Sequence, residues 1–209
     1  MEKEEWKAAV IKAADQLREE ILAMGEEIYK HPETGYREFH TTELVADKLE
    51  KLGLKVERNI AYTGCKAVSE KKKNGPTIAV LGELDSLICM AHPDCNPENG
   101  YMHACGHDGH ITVGLGTAKL LCQMREQLHG TITFIFQPAE EGVRGARAIV
   151  ENGHLEDVDF LLAAHMYGGS EQHPCGICIT AGHGLATTKL DVAVHGKASL
   201  AAAAPEQGN

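Results

Sequence analysis

The sequence predicts an α/β protein with a mainly parallel central sheet flanked by helices. Three runs carry that expectation: TIAVLGEL (77–84), TITFIFQ (131–137) and DFLLAAH (159–165). Each is nearly continuous in apolar residues, as a strand covered on both faces is. Segments of helical period lie between them, and strand alternating with helix is the pattern of a parallel sheet.

The elements follow in chain order. Trp6, Val10, Ala13, Leu17, Ile21, Met24 and Ile28 recur at steps of three and four, which predicts an amphipathic helix. His31-Pro32 ends it, because the residue before proline is pushed out of the helical region. A second helix is expected from about Thr41 to Leu52, stopping at Gly53, with LKVERNI (54–60) as a strand after it. Asp108 is expected to cap a helix from Gly109 to Leu128, whose shared face carries Ile111, Leu115, Ala118, Leu121 and Cys122. RGARAIVEN predicts a short helix ending near Gly153. After Gly176 the segments GICITAG and KLDVAVHG alternate apolar with polar, as half-buried antiparallel strands do. The closing ASLAAAAPEQGN brings no further element. Residues 1–186 are therefore expected to form the amino-terminal part of one domain. Residues 187–209 would open a smaller α+β unit that is left incomplete.

A chain of 209 residues with 43% hydrophobic and 24% charged residues has the composition of a soluble globular protein. Its first thirty residues are too charged for a signal peptide, and no run is long enough to span a membrane. The cytoplasm is the expected compartment. Seven cysteines without framework spacing then read as thiols or ligands rather than disulfides. A net charge of −10 repels phosphate backbones, so neither a nucleic-acid nor a membrane partner is expected. The basic run Lys71-Lys72-Lys73 beside Asn-Gly-Pro reads as a solvated turn.

Ligands of open α/β sheets bind beyond the carboxyl ends of the strands. One strand runs into Glu83-Leu84-Asp85, the next into Pro138-Ala139-Glu140-Glu141-Gly142, and the third delivers His165. HACGHDGH (103–110) lies in a loop at the same edge. Thiolate, imidazole and carboxylate together suit zinc or manganese better than a hard cation. Cys105 and His107, two apart across Gly106, are the favoured pair; His103 and His110 are as readily packed side chains as ligands. Beside a metal, the adjacent acids Glu140 and Glu141 divide labour, one binding the ion and the other taking a proton from water. Asp85 reads equally as a support for a ligand imidazole or as a turn aspartate. Cys175-Gly-Ile-Cys178 is a single C-x-x-C entering a strand, which is neither a zinc pair nor a redox motif in its usual place.

HPETGYREF (31–39), GELDSL (82–87), HACGHDGH, FQPAEEG (136–142) and AAHMYGG (163–169) together resemble the metal-dependent amidohydrolases. These are co-catalytic metallopeptidase relatives of the hippurate hydrolase, aminoacylase, aminobenzoyl-glutamate hydrolase, indole-acetyl-amino-acid hydrolase and carboxypeptidase type. The resemblance implies a zinc-exopeptidase-like catalytic domain interrupted by a lid domain that mediates homodimerisation. It implies two divalent ions, zinc or manganese, bound by Cys105, His107, Glu141 and His165. Glu140 is then the general base and proton donor, and Asp85 supports the ligand shell. The implied reaction is hydrolysis of N-acyl amino acids or related small peptide-like amides. Relative to that pattern the chain stops just inside the lid, and Leu200 stands where a substrate-facing histidine follows the G-K-x-S/G unit. Two other classes remain as alternatives: a non-catalytic metal- or ligand-binding relative, and a thiol redox protein using Cys175 and Cys178.

Overall fold

A computed structural model describes residues 3–70, 74–142, 144–166, 176–177, 190, 192–193 and 195–208. The chain divides into two compact units, Met1–Pro174 and Cys175–Asn209. The Cys175/Cys178 pair, the Lys71–Lys73 run and most of the two late alternating segments fall outside the described residues.

The first unit opens with helices α1 (Lys3–Gln16) and α2 (Arg18–Tyr29), where a single helix was expected. Leu17 interrupts them, although its N–H still bonds the carbonyls of Ala13 and Ala14, so the chain bends without unwinding. Helix α3 (Phe39–Lys51) follows, then strands β1 (Lys55–Ile60) and β2 (Gly64–Val68). Glu33 caps α3 from outside: its carboxylate accepts the N–H groups of His40 and Thr41 at 3.1 and 2.8 Å. Next come strand β3 (Thr77–Glu83), the short strands β4 (Leu87–Ile88) and β5 (Tyr101–Met102), and helix α4 (His107–Gln123). Strand β6 (Thr131–Gln137), helix α5 (Gly145–Glu151) and strand β7 (Phe160–Ala163) complete the unit.

The main sheet has the order β1-β2-β6-β3-β7. Its β6-β3-β7 part is parallel, as the continuous apolar runs require. The β1-β2 hairpin is antiparallel and joins β6 antiparallel as well, with Cys65 opposite Phe136. The sequence pattern does not reveal β2. Its turn places Ala61 and Tyr62 at φ 45° and 82°, the twist hairpins favour but one usually made by Asn or Gly. No turn signal is therefore visible there.

Period-two alternation along β6 splits the core. Phe134 and Phe136 face Met24, Ile28, Val45, Leu49, Ile111 and Leu115 of α2, α3 and α4. Ile135 joins Ile60, Ala79 and Ile149 in a smaller cluster that includes α5. Gly82 lets α4 cross close to β3, since a Cβ there would stand 3.0 Å from the His110 carbonyl oxygen.

Two further expectations need correction. Asp108 is not the cap of α4: the helix begins at His107 behind Gly106, whose φ of 86° turns the chain into it. It ends at Gln123, with the 3-10 turn Arg125–Gln127 taking up the remainder. Strand β7 is exposed along its length rather than buried, because it borders β3 on one side and no other strand among the described residues.

Burial separates two otherwise similar truncations. Phe134→Ala is expected to cost about 3–5 kcal/mol through the cavity left in the larger core. Leu162→Ala on β7, 60% exposed, should stay within about 0.5 kcal/mol. Urea midpoints of the two variants check this, and equal losses would mean that β7 is covered in solution.

Candidate metal centre

The parallel register sets the site. Thr77 pairs with Thr131 and Glu83 with Gln137, so β3 and β6 end at one level. Leu81 pairs with Ala163, which puts the residues two further on, Glu83 and His165, at that level too. The chain beyond β6 makes a 3-10 turn at Glu140–Gly142, and α4 brings His107 in its first turn.

Asp85 is fully buried and joins these parts. Its Oδ1 accepts the N–H of Glu140 and its Oδ2 that of Glu141, both at 3.0 Å. His107 Nδ1 lies 2.7 Å from the Asp85 carbonyl oxygen and 3.3 Å from Oδ1. Two acceptors there hold a proton on Nδ1 and leave Nε2 as the nitrogen able to give a lone pair when its own proton is displaced. That Nε2 is buried without a hydrogen-bond partner, 3.7 Å from Glu140 Oε2 and 3.9 Å from Glu141 Oε1. Glu141 Oε1 is itself buried and unpartnered. Burial would raise the Asp85 carboxyl, but the His107 hydrogen bond and the two amides outweigh it and bring it below its ordinary value. Burial likewise opposes protonation of His107; the hydrogen bond and charge of Asp85, with Glu83, overcome it and lift the imidazole to about 9.

His165 donates from Nδ1 to the Met166 carbonyl at 2.6 Å, so its Nε2 faces Cys105 Sγ at 3.6 Å. Burial, then the charges of Glu141, Glu140 and Glu83, push the Cys105 thiol up to about 11. Burial also raises Glu140. Among the described residues the basic partners of Glu83, Asp85, Glu140 and Glu141 are imidazoles, not lysine or arginine. Donor atoms of Cys105, His107 and His165 lie within 4.8 Å of one another, and so do those of His107, Glu140 and Glu141. All six residues singled out in the sequence thus meet at one edge. Unpartnered lone pairs and crowded acids are what a divalent cation satisfies.

The other two histidines of the loop differ. His110 uses both nitrogens: Nδ1 donates to Glu83 Oε2 at 2.7 Å and Nε2 accepts the Met166 N–H at 2.6 Å. It anchors the segment that carries His165. Glu83 and His110 also share a potential ligand group with His107, but that hydrogen bonding already occupies His110. His103 is 4% exposed with neither ring nitrogen partnered. The sequence pattern assigns Glu83 no role; a carboxylate ending a buried strand is the one signal it offers.

This is an α/β protein whose strand ends converge on a cluster fitted to cations. The chain matches the peptidase family M20/M25/M40 over residues 79–206 and belongs to that family. It is 32% identical to a p-aminobenzoyl-glutamate hydrolase homolog of Haemophilus influenzae, over 90% of this chain and 56% of that one. It is 34% identical to the indole-3-acetyl-aspartic acid hydrolase of Enterobacter agglomerans, over 92% and 55%. The Bacillus subtilis YXEP protein, described as a dinuclear metal binding peptidase from the M20 family, superposes with a TM-score of 0.65 at 35% identity. That match covers 72% of this chain and 43% of the other. The chain spans about half the length of the curated relatives it matches. No helix of the described residues is long and apolar enough to cross a membrane.

Burial holds the His103 imidazole down at about 4, against 6.5 for an ordinary histidine. Between those values the unfolded chain binds the extra proton, so stability is complete above pH 6.5 and falls as pH drops toward 4. The loss is of order 3 kcal/mol at most. With chelator present, urea midpoints across this window should flatten in His103→Leu; an unchanged profile would remove His103 as a source of acid sensitivity.

Proposed function

We propose that this chain forms the metal-binding part of a hydrolase that cleaves the amide bond of N-acyl amino acids or related small amides. Two divalent ions, zinc or manganese, would be held by Cys105, His107, Glu141 and His165. The observation that carries the reading is the pair of buried, unpartnered atoms His107 Nε2 and Glu141 Oε1, 3.9 Å apart. Soft sulfur beside imidazole and carboxylate favours zinc or manganese over magnesium or calcium.

Ions bound there would supply Lewis-acid polarisation of the amide carbonyl. Everything else falls to the chain. Glu140 keeps its carboxylate half-exposed while its neighbour turns inward, so it is the acid free to meet solvent and substrate. It takes a proton from water as the water oxygen bonds to the carbonyl carbon. As the C–N bond breaks it returns that proton to the leaving amine. Burial raises the Glu140 carboxyl, and this makes the carboxylate a better acceptor of the proton from water and keeps that proton in place until the amine leaves. Asp85 fixes the amides of both glutamates and the tautomer of His107. The same reading assigns residues 1–186 to the catalytic domain and 187–209 to a lid domain through which a cytoplasmic homodimer forms.

Metal content by mass spectrometry after dialysis tests the ligand set. Zinc or manganese should be retained by the chain and lost from Cys105→Ser/His107→Ala; retention by both sinks the assignment. Glu140→Gln should keep the metal yet slow hydrolysis of an N-acyl amino acid by about 10²–10⁴-fold in the whole protein. Undiminished turnover would remove Glu140 as base.

A further inference from the structure

Glu38 ends the loop that precedes α3, and it is fully buried although no lysine or arginine ion-pairs with it among the described residues. An unpaired carboxylate is expensive to bury, and a residue needed only for packing would be apolar. What Glu38 has instead is donors. Oε1 accepts the Ala139 N–H at 2.7 Å and Oε2 the Thr63 hydroxyl at 2.6 Å. The backbone N–H groups of Tyr36 and of Glu38 itself support the same carboxylate.

Its partners lie in backbone of an uncommon kind. Tyr36, Ala61, Tyr62 and Ala139 have φ of 63°, 45°, 82° and 49°, the left-handed region that costs an ordinary residue about 1–2 kcal/mol. Three loops with such residues therefore meet at one side chain. Ala139 is the one that matters for the metal centre, because Glu140 and Glu141 follow it directly. Asp85 holds the amides of those two, so three successive N–H groups are shared between two buried carboxylates.

We infer that Glu38 is a positioning residue for Glu140 and Glu141: it holds Ala139 in its left-handed conformation and so sets where both acids stand. This rests on the proposed metal centre. A glutamine is an imperfect replacement: it keeps one acceptor oxygen but puts an NH₂ in place of the second, which a backbone N–H cannot accept and the Thr63 hydroxyl can meet only by turning.

Cobalt(II) titration of the chain, followed by the visible spectrum, tests this with Glu38→Gln and Glu38→Gln/Ala139→Gly. Glu38→Gln should melt cooperatively yet bind cobalt about tenfold more weakly with an altered spectrum. Ala139→Gly should restore affinity and spectrum in that background, because glycine enters the left-handed region without strain. A structural role alone predicts no such rescue. Affinity and spectrum equal to those of the unsubstituted chain in Glu38→Gln, or failure of the glycine to restore them, overturns the inference. Amide hydrogen exchange of the unsubstituted chain decides should Glu38→Gln not fold. The Ala139 amide is expected to be protected together with those of Glu140 and Glu141, and free-peptide exchange at Ala139 overturns the inference. Absence of cobalt binding by the unsubstituted chain strikes the metal-centre reading instead, and Ala139 exchange still reports on Glu38.

Discussion

Asp85 has no exposed surface, yet its two carboxylate oxygens and its backbone carbonyl organise two separate stretches of chain. The carboxylate takes one amide on each oxygen from the turn after β6, and the His107 ring at the start of α4 leans on the same residue. Hydrogen bonding to the ionised form is what makes a buried carboxylate tolerable. In the proposed function both glutamates of that turn keep their side chains free, so neither could be placed by its own side chain. Their backbone is gripped instead, and the side chains are aimed as a consequence. The same contact holds a proton on Nδ1, so Nε2 is the nitrogen that would turn a lone pair to the centre once a cation displaces its proton.

The arrangement carries an electrostatic cost of its own. Cys105 is held protonated by burial and surrounding acids, and His107 is held protonated by Asp85 and Glu83. A cation bound as proposed would displace both protons and answer the crowded carboxylates at once, which would couple binding to pH and to stability. The protein residues alone leave these charges poorly matched, and the proposed cation would relieve them. That is the usual relation between a metal centre and the fold that holds it.

Much of the fold is legible because buried parallel strands announce themselves. TIAVLGEL and TITFIFQ sit in the structure within a residue of their expected limits, and their ends carry the acids. What escapes is either short or set by distant contacts. β2 is five residues with a lysine in the middle, joined through a turn without Asn or Gly. Its antiparallel pairing with β6 turns a parallel sheet into a mixed one. The apolar run of β7 implies a covered strand, but burial belongs to neighbours and not to composition. Glu38 lies in plain sight inside HPETGYREF. Nothing local distinguishes it from a solvated glutamate, because its partners are 25 and 101 residues away.

The HACGHDGH loop shows why residue type and spacing stop short of assigning roles. Its three histidines end in three chemical states, and each is decided by the second ring nitrogen. Both nitrogens of His110 are bound, one to Glu83 and one to a backbone amide, so it has no lone pair left to offer. Those of His103 are both unpartnered, and burial keeps that ring neutral. His107 alone has one nitrogen fixed and the other bare toward two carboxylates. A histidine is prepared to act as a ligand when something else holds its other nitrogen in place. For His107 that something is Asp85, eighteen residues upstream of the loop and across the end of another strand.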